Sequence, residues 1–264
     1  MKTLPLILLV GCLLVACGKE AVPGPQVVAH RGYWKTEGSA QNSISSLQNA
    51  GNFGAYGSEF DVNLTADGAL VVNHDFTYQG LTIYESTLDS LRDPSRTLKN
   101  GEIIPTLDEY LEASLAYPKM KLVFELKSEG NPDYEAVAVP ASVEAIKRFK
   151  VEDRVEFISF SLSACREFAK LMPANRVEYL GGEIAPAQLH EMGISGIDYH
   201  YSVFDAHPEW VAEAHALGMI VNAWTVDKEE DIDRMLRLGV DHITTNEPEL
   251  AAQRIAAFLS NPTQ

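Results

Sequence analysis

Positive charge is scarce in this chain, pairable cysteine is missing, and only one stretch stays apolar for long. Lys and Arg number 21 against 37 Asp and Glu, a formal charge of −16 over 264 residues. So acidic a surface excludes nucleic acid and anionic membrane surfaces as partners, since both are held through excess Lys and Arg. Any anionic substrate would have to be met by a metal ion or by a few aimed cations. Cys12 and Cys17 lie in or beside the leading apolar stretch, so Cys165 has no partner and no internal disulfide is available. Unpaired, Cys165 reads as a small core residue. No low-complexity tract, sharp repeat or domain linker follows the first 25 residues. No Gly-rich turn follows the first strand-like run either, which argues against an open doubly wound sheet.

The long apolar stretch, residues 4–16, holds 13 residues, too few for a bilayer span of roughly 20. Lys2 before it and small residues at its end make it a secretory signal. Leu14-Val15-Ala16-Cys17 resembles the bacterial lipobox. That resemblance implies cleavage before Cys17, a lipid on Cys17, and a place in the bacterial cell envelope, tethered to the periplasmic face of a membrane or to the cell surface. Residues 17–25, punctuated by Pro23-Gly24-Pro25, then form a tether. Removing 16 residues from 264 leaves 248, and loses only one charge, Lys2. Residues 26–264 read as one domain.

Short apolar runs and amphipathic stretches alternate through that domain. Strands are expected at 27–30, 58–62, 122–127, 155–160, 177–180, 196–199, 220–225 and 242–245. Several are almost continuously apolar, as parallel strands buried on both faces are. Thr106-Leu107-Asp108-Glu109 has the form of a capping box. Pro208 and Pro248 fall where first-turn prolines belong, and Gly218 and Gly239 where helices stop. Pro140 should kink or divide a helix over 134–149. The run 69–73 follows Val62 too closely for a parallel crossover, so it must return antiparallel, as a hairpin turning near Asp67-Gly68. Eight strands then alternate with helices, the count of a TIM (β/α)8 barrel.

Active sites of such barrels lie where the strands end. The first strand ends in His30-Arg31-Gly32. The second carries Glu59 and Asp61 two apart, on one side, and the hairpin returns to deliver His74-Asp75. The third ends in Glu125-Leu126-Lys127, the fourth in Ser159-Phe160, the seventh in Asn222-Ala223-Trp224-Thr225 and the last in Thr245-Asn246. Glu59, Asp61 and Glu125 converge from neighbouring strands, and crowded carboxylates call for a counter-ion. A hard divalent cation, Ca2+ or Mg2+, supplies it; the competing reading is a structural ion cluster with Arg31 and Lys127. His30 and His74 suit proton transfer near neutral pH. Arg31 and Lys127 are candidates for phosphoryl oxygens, and Trp224 for the alcohol part of a substrate. Phe160 reads as core. The histidines at 190, 200, 207, 215 and 242 are assigned no chemistry.

These residues, with Asn42-Ser43, Glu59-Phe60-Asp61-Val62, Thr65-Ala66-Asp67-Gly68, Val71-Val72-Asn73-His74-Asp75 and Trp224-Thr225, resemble the glycerophosphodiester phosphodiesterases in order over nearly the whole domain. The resemblance implies a TIM barrel with one divalent ion on Glu59, Asp61 and Glu125. It implies acid/base histidines at His30 and His74, with Arg31 and Lys127 near the phosphate. The expected reaction releases glycerol 3-phosphate and an alcohol, through attack of the glycerol 2-hydroxyl on phosphorus. Two departures stand out. Gln41 replaces a Glu usual in the family, removing a negative charge near Arg31. Residues 76–104, in the place of a variable cap, are few, which suggests an open mouth. Two other functions compete: a related phosphodiesterase acting on lipid, inositol- or sugar-linked diesters, and a tethered module that only binds phosphorylated polyols.

Overall fold

The computed structural model describes residues 24–128 and 130–260. The leader 1–16, Cys17 and the tether as far as Pro23 lie outside the described residues.

Eight parallel strands close on themselves. They are β1 (Gln26–Ala29), β2 (Gly57–Leu64), β6 (Lys121–Leu126), β7 (Val155–Ser159), β8 (Val177–Tyr179), β9 (Gly196–His200), β10 (Ile220–Trp224) and β11 (His242–Thr245). Each pairs with the next, and β1 pairs with both β2 and β11. The result is a TIM barrel. β3 (Leu70–Val72) runs antiparallel on β2, with Val62 opposite Val72 and Leu64 opposite Leu70. This is the expected hairpin, and its turn uses Gly68 at φ 82°. β4 (Thr77–Tyr78) and β5 (Leu81–Thr82) form a small separate ribbon.

The helices are α1 (Ile44–Phe53), α2 (Leu88–Leu91), α3 (Leu107–Ser114), α4 (Pro132–Phe149), α5 (Leu162–Leu171), α6 (Pro186–Glu191), α7 (Tyr201–Ala206), α8 (Glu209–Ala216), α9 (Glu229–Leu238) and α10 (Pro248–Ser260). Their ends follow local chemistry. Ser43, Thr106, Asn131 and Ser161 each accept a backbone N–H at a helix start, and Gly54 and Gly239 close α1 and α9 in the left-handed conformation. Thr106 and Glu109 form the complete capping box. Of the kink or division expected at Pro140, the division does not occur, because α4 runs as one helix through it. A proline in mid-helix forfeits a single intrahelical hydrogen bond. Here Ala138, Val139, Ser142 and Val143 are buried on either side of it, and that packing holds the helix together.

Alternation divides the strand residues between two cores. Phe60, Phe124 and Phe157 face outward and pack against the helices, where Phe168 of α5 stacks on Phe157, while Val28, Val123, Ile158 and Leu180 fill the barrel itself. Cys165 is free and buried, as expected. Residues 76–104 enclose a minor core of Tyr78, Ile83, Leu91 and Ile104 against Val71 of β3. Among the described residues no helix is long and apolar enough to cross a membrane.

Candidate active site

β2 and β6 carry the acidic side of the site. The strand register sets Asp61 directly opposite Glu125, and Glu59 lies one pleat below on the same face. All three are buried, and one carboxylate oxygen from each lies within 4.8 Å of the others. Their remaining contacts fix the carboxyl groups in place. The Arg31 backbone N–H donates to Glu59 Oε2 at 2.6 Å, and Asn42 Nδ2 donates to Asp61 Oδ2 at 2.8 Å. Lys127 Nζ donates to Glu125 Oε1 at 2.8 Å and stands 3.5 Å from Asp61 Oδ1. Glu59 Oε1 and Asp61 Oδ1 are left buried with no hydrogen bond. Buried oxygens without a partner are costly, and a cation shared by the trio would satisfy both.

Burial pushes Glu59 well above the usual carboxylate range, and Asp61 and Glu125 push it further. Burial and then Asp61 raise Glu125 to about 7, against the pull of Lys127. Burial also opposes charge on Asp61, yet Lys127, His74, Asn42 and Arg31 together hold it below its usual value. One acid thus stays ionised beside two that resist ionisation. An all-oxygen donor set of this kind fits a hard divalent ion.

The turn after β1 positions His30 and Arg31. Arg31 takes φ 57° and Gly32 φ 75°. A Cβ on Gly32 would meet Ser46 Oγ at 2.4 Å and its backbone carbon at 2.7 Å, so both the conformation and the space demand glycine. His30 Nδ1 lies 2.9 Å from Asn246 Oδ1. Asn246 in turn donates to Asp227, from Nδ2 at 2.8 Å and from its backbone N–H at 2.8 Å. That pairing fixes the amide with its oxygen toward His30. An amide oxygen only accepts, so the network assigns the proton to Nδ1 and leaves the Nε2 lone pair free. Burial, and then Arg31, lower the His30 pKa to about 4, which keeps the ring neutral at pH 7. His74 is in a wetter place. Its side chain is 38% exposed, and Nδ1 is 2.7 Å from Asp75 Oδ1.

His30, Arg31, Glu59, His74, Glu125 and Trp224 line one cleft of about 150 Å3 at the C-terminal mouth. Asp61 and Lys127 sit buried at its edge. The sequence-assigned metal ligands, histidines, cations and Trp224 are therefore gathered at this mouth. Trp224 is held by its Nε1–H to the Asp198 carbonyl at 2.9 Å. Phe160 corrects the sequence reading: it is 44% exposed, lines the cleft, and meets Trp224 edge-on at 5.6 Å. β7 ends one residue earlier, so this inward position lies above the last filled layer of the barrel. Gln41 Oε1 accepts from Arg31 Nη1 at 2.7 Å, so the amide keeps the acceptor while supplying no charge. None of residues 76–104 lines the cleft.

Four residues near the site had no role assigned from sequence. Asn246 and Asp227 orient His30, Asn42 holds Asp61, and Asp198 projects into the cleft from β9 with Oδ1 buried and unpartnered. Asp198 had one available signal, an acid at the centre of a short buried strand. The Asp227 contact joins a loop to a strand end across 19 positions and had none.

Fold and mouth chemistry together are those of a barrel phosphodiesterase. Residues 30–250 match the model of the glycerophosphoryl diester phosphodiesterase family, and the chain belongs to that family. A glycerophosphodiester phosphodiesterase of Caldanaerobacter subterraneus subsp. tengcongensis is 34% identical over 236 residues, covering 84% of this chain and 94% of the relative. The crystal structure of a glycerophosphodiester phosphodiesterase from Parabacteroides distasonis superposes with a TM-score of 0.87 at 48% identity, covering 89% of this chain and 98% of that one. A phosphodiesterase of Oleispira antarctica, solved with the product sn-glycerol-3-phosphate, superposes with a TM-score of 0.76 at 29% identity, covering 88% and 97%.

Proposed function

We propose that this protein hydrolyses glycerophosphodiesters to glycerol 3-phosphate and an alcohol, with one Ca2+ or Mg2+ ion held by Glu59, Asp61 and Glu125 and with His30 and His74 as the proton-transfer pair. The observation that carries the reading is the meeting of three buried carboxylates, two of them with unfilled oxygens, and two histidines at one cleft. Bound there, a divalent ion would supply charge stabilisation at the phosphoryl oxygens. Arg31, held by the Gln41 amide, and Lys127, held by Glu125, add to it as preorganised cations. His30, neutral with Nε2 free, takes the proton of the glycerol 2-hydroxyl as that oxygen attacks phosphorus. His74, at the wetter rim, gives a proton to the departing alcohol. Water then opens the cyclic phosphate with the roles exchanged, since His74 is now the neutral base and His30 the charged acid. Trp224 and Phe160 offer an apolar wall to the alcohol. A cleft not covered by residues 76–104 favours broad acceptance of head groups, including lipid, inositol- or sugar-linked diesters. Two proton-transfer groups are superfluous for a protein that only binds.

The lipobox supports a second part of the proposal, in which residues 1–16 are removed and Cys17, lipidated, holds the barrel to a membrane of the bacterial envelope. The catalytic proposal is tested on metal-stripped protein offered a panel of glycerophosphodiesters. Hydrolysis should vanish, return with calcium or magnesium, and yield glycerol 3-phosphate from each substrate. Full activity without metal, or glycerol plus a phosphorylated alcohol as products, would overturn it.

A further inference from the structure

The far end of the barrel holds a second cluster of ligating side chains. Glu156 is the second residue of β7, Glu178 the second of β8 and His242 the first of β11. All three point inward at the strand starts, on the floor opposite the cleft. One carboxylate oxygen of each acid and one ring nitrogen lie within 4.8 Å of one another. The side chains are buried, with Glu178 only 2% exposed and His242 5%. Glu156 Oε1 is partly satisfied, accepting from the Tyr56 hydroxyl at 2.6 Å and from Arg176 Nη1 at 3.2 Å. Glu178 is not. Its Oε2 is buried without a hydrogen bond, and so is Oδ1 of Asp198 in the layer above.

Glu178 reaches its place because the neighbouring strand offers no side chain. Gly196 is its direct partner in β9, and a Cβ there would meet Glu178 Cγ at 2.6 Å and Cδ at 3.1 Å. Gly196 therefore keeps open the space in which an unpaired carboxylate leans toward Glu156 and His242. Arg176 is the cation touching this group, and it already serves Glu156.

We propose that Glu156, Glu178 and His242 form a second divalent-metal site, structural rather than catalytic, that takes a zinc-class ion. The donor set separates it from the cleft trio. Carboxylates alone suit magnesium and calcium, whereas an imidazole with two carboxylates is a donor set for zinc and its first-row neighbours. An ion there would satisfy the Glu178 oxygen and tie β7 and β8 to β11 across the barrel floor. The Arg176 side chain, 42% exposed, marks the way in from solvent. Binding would show in stability rather than turnover, because binding to the folded state alone raises the unfolding temperature.

The test uses the full chain in detergent, stripped of metal, in an Asp61→Asn background that disables the cleft trio. Zinc should bind at one ion per chain, in competition with a chromophoric chelator, and should raise Tm; calcium and magnesium at equal concentration should not. Adding Glu178→Gln or His242→Gln should weaken zinc at least about 100-fold, the upper end of losses seen when only supporting residues are changed, and abolish the Tm rise. Gly196→Ala, which keeps all three ligands but crowds Glu178, should weaken it too. A folded Asp61→Asn chain that binds no zinc would overturn the site, as would zinc binding indifferent to Glu178→Gln and His242→Gln. If the background variant does not fold, anomalous scattering at the zinc edge from wild-type crystals grown in zinc decides: a peak between the three side chains supports the site, and its absence refutes it.

Discussion

At the residue scale the two histidines differ in a way that assigns their work. His30 is half-buried, neutral and oriented through Asn246, whereas His74 is more than one-third exposed and paired with Asp75. General acid–base catalysis contributes roughly 10²–10⁴-fold. His30→Ala and His74→Ala should each lower kcat by about that factor while leaving metal affinity unchanged, as read by steady-state kinetics and calorimetry. The losses should not add, because both groups serve one reaction in sequence. A nitrophenyl ester that keeps the glycerol 2-hydroxyl separates the roles. Its leaving group needs little protonation, so it should partly rescue His74→Ala and not His30→Ala. Equal rescue of both variants would erase the assignment, and near-wild-type turnover by either would defeat the pair. The residue types and their spacing were open to inspection in the sequence. The tautomer of His30 was not, because it depends on an amide 216 positions away.

At the scale of elements, the segment that delivers His74 is tied down through the start of α3. Thr106 accepts from the Glu109 N–H, Glu109 accepts from the Thr106 N–H, and the same carboxylate takes both Arg92 nitrogens, at 2.7 and 2.8 Å, from the end of α2. Loss of an N-cap side chain costs about 1 kcal/mol. Thr106→Ala should lower the unfolding free energy by ~1 kcal/mol in urea titration with KM unchanged, since the box lies outside the cleft. A loss of several kcal/mol, or a changed KM, would show that the box also positions His74. Strand positions were legible because parallel strands buried on both faces leave continuous apolar runs, and the hairpin because its loop was too short for a crossover. The continuity of α4 was not, because Pro140 argues locally for a break and only the residues packed around it argue against one.

For the whole molecule, the buried acids set a pH dependence. Glu125 titrates near 7 in the folded protein against its usual 4.5, and Glu59, Glu178 and Asp198 are also pushed well above their usual values, in each case first by burial. The folded state then holds protons that the unfolded chain has released, so stability falls as pH rises. His30 and His242, both lowered first by burial, work in the opposite sense, and their effect fades as pH rises past their unfolded value of 6.5. Between pH 6.5 and 8 the four acids outweigh the two histidines, so metal-free protein should lose Tm across that window and divalent ions should restore it. A Tm that is flat or rising across the window in metal-free protein would contradict this account. The lipobox makes a second prediction at this scale. The native protein should label with palmitate and partition into detergent, and Cys17→Ala should do neither; a freely soluble protein with Cys17 unmodified would refute the anchor.

Local patterns in the chain suffice for the alternation of strands and helices, the antiparallel return after β2, and the set of residues at strand ends. Each of these is written in short-range periodicity or in motifs of adjacent residues. What those residues meet depends on how the barrel closes. Closing the barrel places Asp61 opposite Glu125 and leaves Glu59 Oε1 and Asp61 Oδ1 unpaired. It lifts Phe160 from the core to the rim, and it turns Glu156, Glu178 and His242 toward one point on the floor. These contacts join positions from 22 apart, Glu156 and Glu178, to 86 apart, Glu156 and His242, and no local pattern records them. They exist because β1 and β11, the two ends of the fold, hydrogen-bond and make inward-facing side chains from every strand share one narrow interior.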